Sequence, residues 1–155
     1  VRYSQLKCGE RRLDGLLDPL RAEYDLIILD CPPSIGLLAE NIFHASDYLL
    51  TPLVPTTLSL RTYEQTRAFL SEIAYAADRL YAFLSMVDRR KRLHRTIAAE
   101  ARQAFPHMLP ASIPYASQIE QMGIHRQPVP AFAPYARASE AYEALWRDMV
   151  RMMSL

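Results

Sequence analysis

The sequence predicts an α/β fold with a partial doubly wound, mostly parallel sheet flanked by helices. Apolar runs of strand length alternate along the chain with segments of helical periodicity. Two of those runs end directly in a carboxylate, and no internal repeat or low-complexity stretch interrupts the alternation. Strands that alternate with helices in this way are typical of right-handed crossover units, in which the strands are parallel.

Length and composition indicate an ordinary globular chain. Its 155 residues are 50% hydrophobic, which is enough for a buried core and for a single domain over residues 1–155. The formal net charge is +1, so any nucleic-acid contact must come from a local basic patch. No apolar run approaches the length that crosses a bilayer, and we therefore expect a cytoplasmic protein without a membrane partner.

The first third of the chain predicts two helices with a strand between them. The strand is Leu26–Leu29, a continuous apolar run that ends at Asp30, as expected for a strand covered on both faces. Each helix shows an apolar face at helical spacing, made by Leu13, Leu16, Leu17 and Leu20 in the first and by Leu37, Leu38, Asn41, Ile42 and Ala45 in the second.

The middle of the chain predicts two more strands around a long helix. Tyr48–Val54 is predicted to be a buried strand, and Ser59 and Thr62 offer side-chain oxygens to cap the helix that follows. Leu80–Val87 is predicted to be the third strand, and like the run before Asp30 it ends in a carboxylate, Asp88.

The last third predicts a fourth strand between two helices. The strand is Met108–Pro114, and Tyr115–Pro134 is predicted to be irregular because it holds several prolines. The apolar faces of the two helices comprise Leu93, Ile97, Ala101 and Ala104 before the strand, and Tyr142, Leu145, Trp146, Met149 and Met153 after the irregular stretch.

Three predicted strand ends carry the candidate site. In open sheets of this class, ligands bind beyond the carboxyl ends of the strands. Asp30, Asp88 and Pro114 stand at such ends, so we expect the three to converge on one crevice. An apolar strand that presents Asp30 at its tip also suits a Walker-B carboxylate, which holds Mg²⁺.

One long stretch makes the chain similar to a known family. Tyr24–Leu38, which reads YDLIILDCPPSIGLL, closely resembles the ParA/MinD (Soj-like) family of deviant-Walker P-loop ATPases that position plasmids, chromosomes and other cargo. The likeness continues in the family's order through Thr51–Pro55, Ser85–Arg90 and His125–Val129. The resemblance therefore implies a P-loop NTPase-like fold and binding of ATP and Mg²⁺.

The resemblance also implies roles for individual residues. Asp30 corresponds to the family's magnesium-side carboxylate and is the implied catalytic and metal-binding residue. The switch loop that senses the γ-phosphate begins at Cys31, and the family lines its adenine pocket at strand ends further along. The implied nucleotide-binding residues are Asp30, Cys31, Pro32, Pro33, Met86, Asp88, Pro114 and Tyr115. Tyr115 departs from the family, which usually has arginine there.

The phosphate-binding loop of the family has no counterpart in this sequence. That loop combines glycines with lysine before a helix. The chain has four glycines, lysines only at Lys7 and Lys91, and no Gly-Lys-Ser/Thr. We therefore expect the C-terminal portion of a longer ATPase, which alone does not hydrolyse ATP. Loss of a neighbouring strand would also leave the strand before Asp30 with a free edge, which favours association with another chain.

The family's activity implies partners, and a basic run offers one candidate contact. ParA-like proteins form ATP-dependent homodimers that bind non-specific DNA on the nucleoid, and a ParB-type partner stimulates their hydrolysis. Arg89, Arg90, Lys91, Arg92 and Arg95 form the candidate DNA-binding patch, because clustered cations bind phosphates without reading sequence.

The sequence also allows simpler structural interpretations of these residues. The basic run could be a solvated helix start, and the carboxylate of Asp88 could simply pair with a neighbouring arginine. The whole chain could be a non-catalytic binding module that keeps the nucleotide fold. Two metabolic relatives on this fold fit less well: an amidating enzyme would need a further domain, and an iron-protein-like reductase would need cluster cysteines at a spacing that Cys8 and Cys31 do not supply.

Overall fold

The computed structural model describes residues 12–31, 37–72 and 75–154. The architecture is α/β, with a three-stranded parallel sheet flanked by helices, which confirms the predicted fold class. The chain divides into two compact units, Val1–Leu49 and Leu50–Leu155. The expectation of one domain over residues 1–155 stays a prediction.

The described part of the first unit contains two packed helices. They are α1 (Arg12–Arg21) and α2 (Leu37–Ala45), and both confirm the predicted helices. Of the predicted apolar face of α1, Leu17 is buried, whereas Leu16 is 69% exposed and Leu20 is 39% exposed. Asn41 on α2 is also buried, and its side-chain oxygen accepts a hydrogen bond from the backbone N–H of Leu13 at 3.4 Å. That bond uses one of the N–H groups that the first turn of a helix leaves without a partner.

The prediction of a strand over Leu26–Leu29 is wrong. The segment has irregular backbone, and Asp30 therefore does not stand at a strand tip. Its apolar side chains are not buried either, since Leu26 is 38% exposed and Ile28 is 75% exposed. A strand needs neighbours that satisfy its backbone N–H and C=O groups, and within the described residues the sheet supplies none to this segment.

The sheet belongs largely to the second unit and has the order β1-β2-β3. Strands β2 and β3 are parallel, and two register irregularities interrupt their pairing. The helix between them makes this pair a βαβ unit, which was predicted from the alternation of elements. All three strands match predicted ones, the first with slightly shorter bounds: β1 (Leu49–Leu53), β2 (Leu80–Val87) and β3 (Met108–Pro114).

Helices in the second unit include two that the sequence did not predict. Tyr115–Pro134 is helical over much of its length rather than irregular, because Pro128 precedes a helix and Pro130 lies in its first turn, where proline is tolerated. The helices are α3 (Thr57–Glu72), a 3-10 turn (Ala77–Arg79), α4 (Arg92–Ala104), α5 (Ser117–His125), α6 (Val129–Phe132) and α7 (Arg137–Met153).

The start of α3 differs from the predicted one. Thr56 caps it, because its hydroxyl oxygen accepts the backbone N–H of Ser59 at 3.2 Å and its carbonyl accepts that of Leu60. The predicted caps therefore lie inside the helix. The hydroxyl of Thr62 instead donates to the carbonyl of Leu58, four residues back, which is a common alternative for threonine within a helix.

The buried face of α4 matches only two of the four predicted positions, since Leu93 and Ala104 are exposed. Ile97 and Ala101 are buried as expected, together with His94 and Ala98. Leu93 points outward instead and is 56% exposed. A periodicity argument assigns the leucine to the core because it is the more apolar of two adjacent residues, yet here the histidine takes the buried position.

The core of the second unit lies between β2, β3 and α7. The phenol of Tyr81 on β2 donates a hydrogen bond to the backbone carbonyl of Met152 at 2.7 Å, which fixes the end of α7 to the sheet. The last helix was predicted correctly, although Trp146 on its predicted apolar face is 48% exposed. The buried cluster comprises Tyr81, Leu109, Ile113, Leu145 and Met153.

Candidate functional site

The carboxyl ends of β2 and β3 lie side by side and form one edge of the sheet. Val87 pairs with Pro114, and the backbone N–H of Tyr115 donates to the carbonyl of Val87 at 3.1 Å. Four of the predicted nucleotide-binding residues therefore share this edge, which we call the β2–β3 edge: Met86, Asp88, Pro114 and Tyr115.

Met86 has an uncommon backbone conformation at this edge. Its φ angle is 54°, in the left-handed region that residues with a Cβ seldom adopt, and a register irregularity of the β2–β3 pair falls just before Val87. Strained residues of this kind persist only where the surrounding structure holds them, and they are frequent at functional sites. The side chain is 49% exposed, so the strain presents an apolar group to solvent at the edge.

Asp88 is hydrogen-bonded through each of its polar groups. Its backbone N–H donates to Nδ1 of His94 at 3.1 Å, and its backbone carbonyl accepts the N–H of Lys91 at 3.1 Å. One carboxylate oxygen accepts both the backbone N–H and the Nε–H of Arg90, and the other accepts a terminal guanidinium N–H, each at 3.0 Å. The pairing of Asp88 with a neighbouring arginine is therefore present in the structure.

The Arg90 contacts determine the charge state of Asp88. Hydrogen bonds from the side chain and backbone of Arg90 lower the pKa of the Asp88 carboxyl to about 2, and the positive charge of Lys91 adds to this effect. Asp88 is thus a carboxylate at neutral pH. Sequence reasoning did not assign His94 to this site, because a histidine six residues after a strand-end aspartate belongs to no recognised motif.

Tyr115 completes the edge on the β3 side. Its ring is 53% exposed, and Pro114 before it is half-buried. The side chains of Tyr115 and Met86 therefore form an exposed apolar surface at this edge, next to the carboxylate oxygens of Asp88. A site that combines apolar surface with a few fixed polar groups suits a flat heterocycle that carries a hydrogen-bond donor.

The basic run surrounds the start of α4. Arg89, Arg90, Lys91, Arg92 and Arg95 are all exposed, and Arg95 donates a hydrogen bond to the backbone carbonyl of Arg89 at 2.9 Å. The first turn of α4 contains no acidic residue, and its N-terminal flanking residue has no side-chain cap. Cations next to the positive end of a helix repel it, and a bound anion would relieve that repulsion.

Asp30 and Cys31 belong to the first unit. Both are exposed, and the Cys31 thiol lies 3.3 Å from the carbonyl of Leu29. Desolvation and the neighbouring Asp30 charge raise the pKa of this thiol, so it is protonated at neutral pH. The other two predicted residues of the switch loop, Pro32 and Pro33, lie outside the described residues. The predicted convergence of Asp30 with the β2–β3 edge stays a prediction.

The described part of the chain shows no metal cluster of side chains and no membrane-spanning helix. Among residues 12–31, 37–72 and 75–154, no group of three or more histidine, cysteine or acidic side chains is placed to hold a metal ion. Over the same ranges no helix is both long and apolar enough to cross a membrane. A groove of about 370 Å³ contains none of the predicted site residues and is lined by Pro130, Tyr142, Glu143, Trp146 and Arg147.

Comparison with protein families identifies the relatives of this chain. The family model described as an AAA domain matches residues 2–86, which is more than half of the chain. A ParA family protein of Chlamydia pneumoniae is 30% identical over 148 residues, covering 94% of this chain. The chain belongs to the ParA/MinD-type family. The chromosome partitioning protein ParA of Myxococcus xanthus is 29% identical over 92% of this chain.

Solved structures agree with the fold of this ParA/MinD-type chain. A plasmid partition protein of Borrelia burgdorferi bound to AMPPNP superposes with a TM-score of 0.80 over 95% of the chain at 16% identity. The cell division ATPase MinD of Pyrococcus furiosus gives a TM-score of 0.72 over 92% of the chain at 20% identity. The chain spans 58% of the Chlamydia relative and 52% of the Myxococcus relative.

Proposed function

We propose that this chain supplies the adenine-binding edge of a ParA-type ATPase that positions plasmid, chromosome or other cargo. The proposal depends on one observation: Met86, Asp88, Pro114 and Tyr115 lie together at the carboxyl ends of two adjacent parallel strands. Ligands of open α/β sheets bind at such ends. Membership of the ParA/MinD-type family supports the choice of an adenine nucleotide as that ligand.

The chemistry of the edge suits an adenine base. The exposed ring of Tyr115 and side chain of Met86 offer apolar surface to a base face. Asp88 offers carboxylate oxygens held in one orientation by Arg90, and these accept hydrogen bonds but cannot donate them. The exocyclic amine of adenine is a donor for these oxygens, whereas guanine presents its donors at N1 and at its own exocyclic amine and would have to bind in a different orientation.

The magnesium side of the proposal concerns Asp30. One carboxylate together with phosphate oxygens and water is the usual way in which proteins hold Mg²⁺ beside a nucleotide, so a single exposed aspartate fits this role. When bound, Mg²⁺ would neutralise phosphate charge. The sequence holds no Gly-Lys-Ser/Thr to cradle the phosphates, and phosphoryl transfer depends on positioning and charge neutralisation. We therefore propose that the chain alone does not hydrolyse ATP.

The whole protein would act through an ATP-dependent cycle. ATP would favour a homodimer that binds non-specific DNA through the basic run at Arg89–Arg92 and Arg95, and a ParB-type partner would trigger hydrolysis and release. A nucleotide can drive such a cycle only if it binds one state more tightly than the other. The relatives named for chromosome partitioning and plasmid partition support this role.

A nucleoside titration followed by ¹H–¹⁵N NMR tests the adenine edge. We expect adenosine to shift the backbone amides of Val87, Asp88, Tyr115 and Ala116, and guanosine to shift them less. Tyr115→Ala should weaken the response, whereas Tyr135→Ala, which removes a ring that is 95% exposed elsewhere, should leave it unchanged. Equal responses to the two nucleosides, or no response to adenosine, would overturn the proposal.

The magnesium role is tested in the protein as its gene encodes it. Asp30→Asn keeps the size of the side chain but removes its charge, so Mg²⁺-dependent ATP hydrolysis should fall by orders of magnitude. Asp25→Asn is the matched control, because Asp25 is an exposed aspartate of the same irregular segment. Equal activity of the two variants would contradict the assignment of Asp30.

A further inference from the structure

His94 is buried in the first turn of α4 and contacts the end of β2. The residue is only 7% exposed, and its ring nitrogen Nδ1 accepts a hydrogen bond from the backbone N–H of Asp88 at 3.1 Å. An acceptor at Nδ1 requires that the proton of the neutral ring sits on Nε2. The histidine therefore supplies the acceptor for the first backbone N–H beyond β2.

The peptide unit that joins Val87 to Asp88 is held from both sides. Its carbonyl accepts the N–H of Tyr115 at 3.1 Å, and its N–H donates to His94. This unit lies one residue after Met86, whose φ of 54° needs support from its surroundings. It also directly precedes the Cα of Asp88, so its orientation sets the direction in which the carboxylate leaves the backbone.

We propose that His94 is a positioning residue for the base-binding edge, acting through the peptide unit between Val87 and Asp88. This inference rests on the proposed function of that edge. Tyr115 fixes the carbonyl, and without the acceptor on His94 the unit can rotate about the ψ bond of Val87 and the φ bond of Asp88. Rotation would turn the Asp88 carboxylate away from a base that stacks against Tyr115, and adenosine affinity would fall.

Two substitutions separate the acceptor from the bulk of the ring. His94→Asn retains an acceptor, because the side-chain oxygen of asparagine is the same number of bonds from the backbone as Nδ1. His94→Leu keeps a branched side chain of similar reach without any acceptor. A single neutral hydrogen bond of this kind corresponds to about a two- to tenfold change in an equilibrium constant.

The experiment is the adenosine titration, repeated with both variants. We expect His94→Asn to bind within about twofold of the unmodified chain and His94→Leu to bind about two- to tenfold more weakly. The Asp88 amide should exchange faster with solvent in His94→Leu alone. In the unmodified chain, ¹⁵N shifts of the His94 ring should show the proton on Nε2, and a proton on Nδ1 would overturn the inference without any variant.

A stability control distinguishes positioning from a general loss of packing. Ile97→Val shortens a buried side chain of the same helix, three residues from His94, without touching the Asp88 amide. If Ile97→Val weakens adenosine binding as much as His94→Leu, or if His94→Leu binds like the unmodified chain, the positioning role is wrong while the adenine edge stands. If the unmodified chain does not respond to adenosine, the adenine edge fails and the positioning role fails with it.

Discussion

Asp148 on α7 accepts a hydrogen bond from the backbone N–H of Ala111 on β3 at 2.7 Å. The other carboxylate oxygen pairs with Arg151 at 2.9 Å, and the Asp148 side chain is only 13% exposed. Because β3 is the last strand in the described sheet, its outer N–H groups have no strand to pair with there. A side chain of the last helix therefore satisfies one of them, which joins α7 to the sheet by a charge-assisted bond.

Removal of this carboxylate should destabilise the fold. Asp148→Ala leaves the Ala111 N–H without its acceptor, and the expected loss in the free energy of unfolding is about 1–3 kcal/mol. Asp148→Asn keeps an acceptor oxygen and should lose less. Urea denaturation of the two variants measures the difference, and an equal loss for both would show that the charge, and not the acceptor, is what matters.

Two matched truncations test which side chains of α4 are buried. Ile97→Ala removes a side chain that is 2% exposed, and we expect it to cost about 2–5 kcal/mol of unfolding free energy. Leu93→Ala truncates a side chain that is 56% exposed and should change stability by less than about 0.5 kcal/mol. Similar costs for the two truncations would place Leu93 in the core and contradict the observed face.

The sequence predicted those elements whose pattern and packing agree. Leu80–Val87 and Met108–Pro114 were predicted with the bounds that the structure has, because both are strand-length segments flanked by turn-forming residues and both lie in the sheet. Leu26–Leu29 shows the same kind of apolar run but forms no strand among the described residues. An apolar run indicates that a segment can be buried in a sheet. Whether it pairs as a strand depends on which other strands lie beside it, and periodicity does not reveal those.

The candidate site was predictable only in part for a related reason. Strand ends and family resemblance placed Met86, Asp88 and Tyr115 at one edge, and the structure brings them together. The left-handed backbone of Met86 and the bond from Asp88 to His94 could not be predicted, because both depend on how the end of β2 meets α4 in space. Local propensity would have favoured another residue at φ of 54°.

The ion pair between Asp88 and Arg90 makes the stability of the fold depend on pH, and the sign of that dependence follows from the pKa of Asp88. The pKa of Asp88 lies at about 2, below its ordinary value of 3.8, chiefly because Arg90 donates to its carboxylate. A depressed pKa means that the carboxylate stabilises the fold above about pH 4, and that this contribution is lost as the pH falls through about 2. Arg90→Gln should raise the pKa of Asp88 towards 3.8, as measured by carboxyl ¹³C NMR.

The control for this titration is Arg92→Gln. Arg92 is an exposed arginine in the same basic run, but it makes no contact with the Asp88 carboxylate. Its replacement should leave the pKa of Asp88 unchanged and should also leave the acid limb of the unfolding curve unchanged. A shift of equal size in both variants would mean that the net charge of the run, and not the hydrogen bonds from Arg90, lowers the pKa.

The basic run should make DNA binding by the protein, as its gene encodes it, depend on salt concentration. Arg89, Lys91 and Arg92 are exposed, and within residues 12–31, 37–72 and 75–154 no carboxylate lies within ion-pair distance of them. They are therefore available to phosphates, and replacing all three with alanine leaves the Asp88–Arg90 pair intact. Each lost phosphate contact should lower the slope of log affinity against log salt by about 1, or about 3 in total.

A charge-matched triple variant serves as the control for that slope. Arg61, Arg137 and Arg147 are exposed arginines on other helices, so their replacement with alanine removes the same net charge away from the start of α4. If binding depends on overall charge alone, both triple variants should lower the slope equally. A lower slope only for Arg89, Lys91 and Arg92 would locate the phosphate contacts at the start of α4, and an unchanged slope in that variant would refute the basic run as a DNA-binding surface.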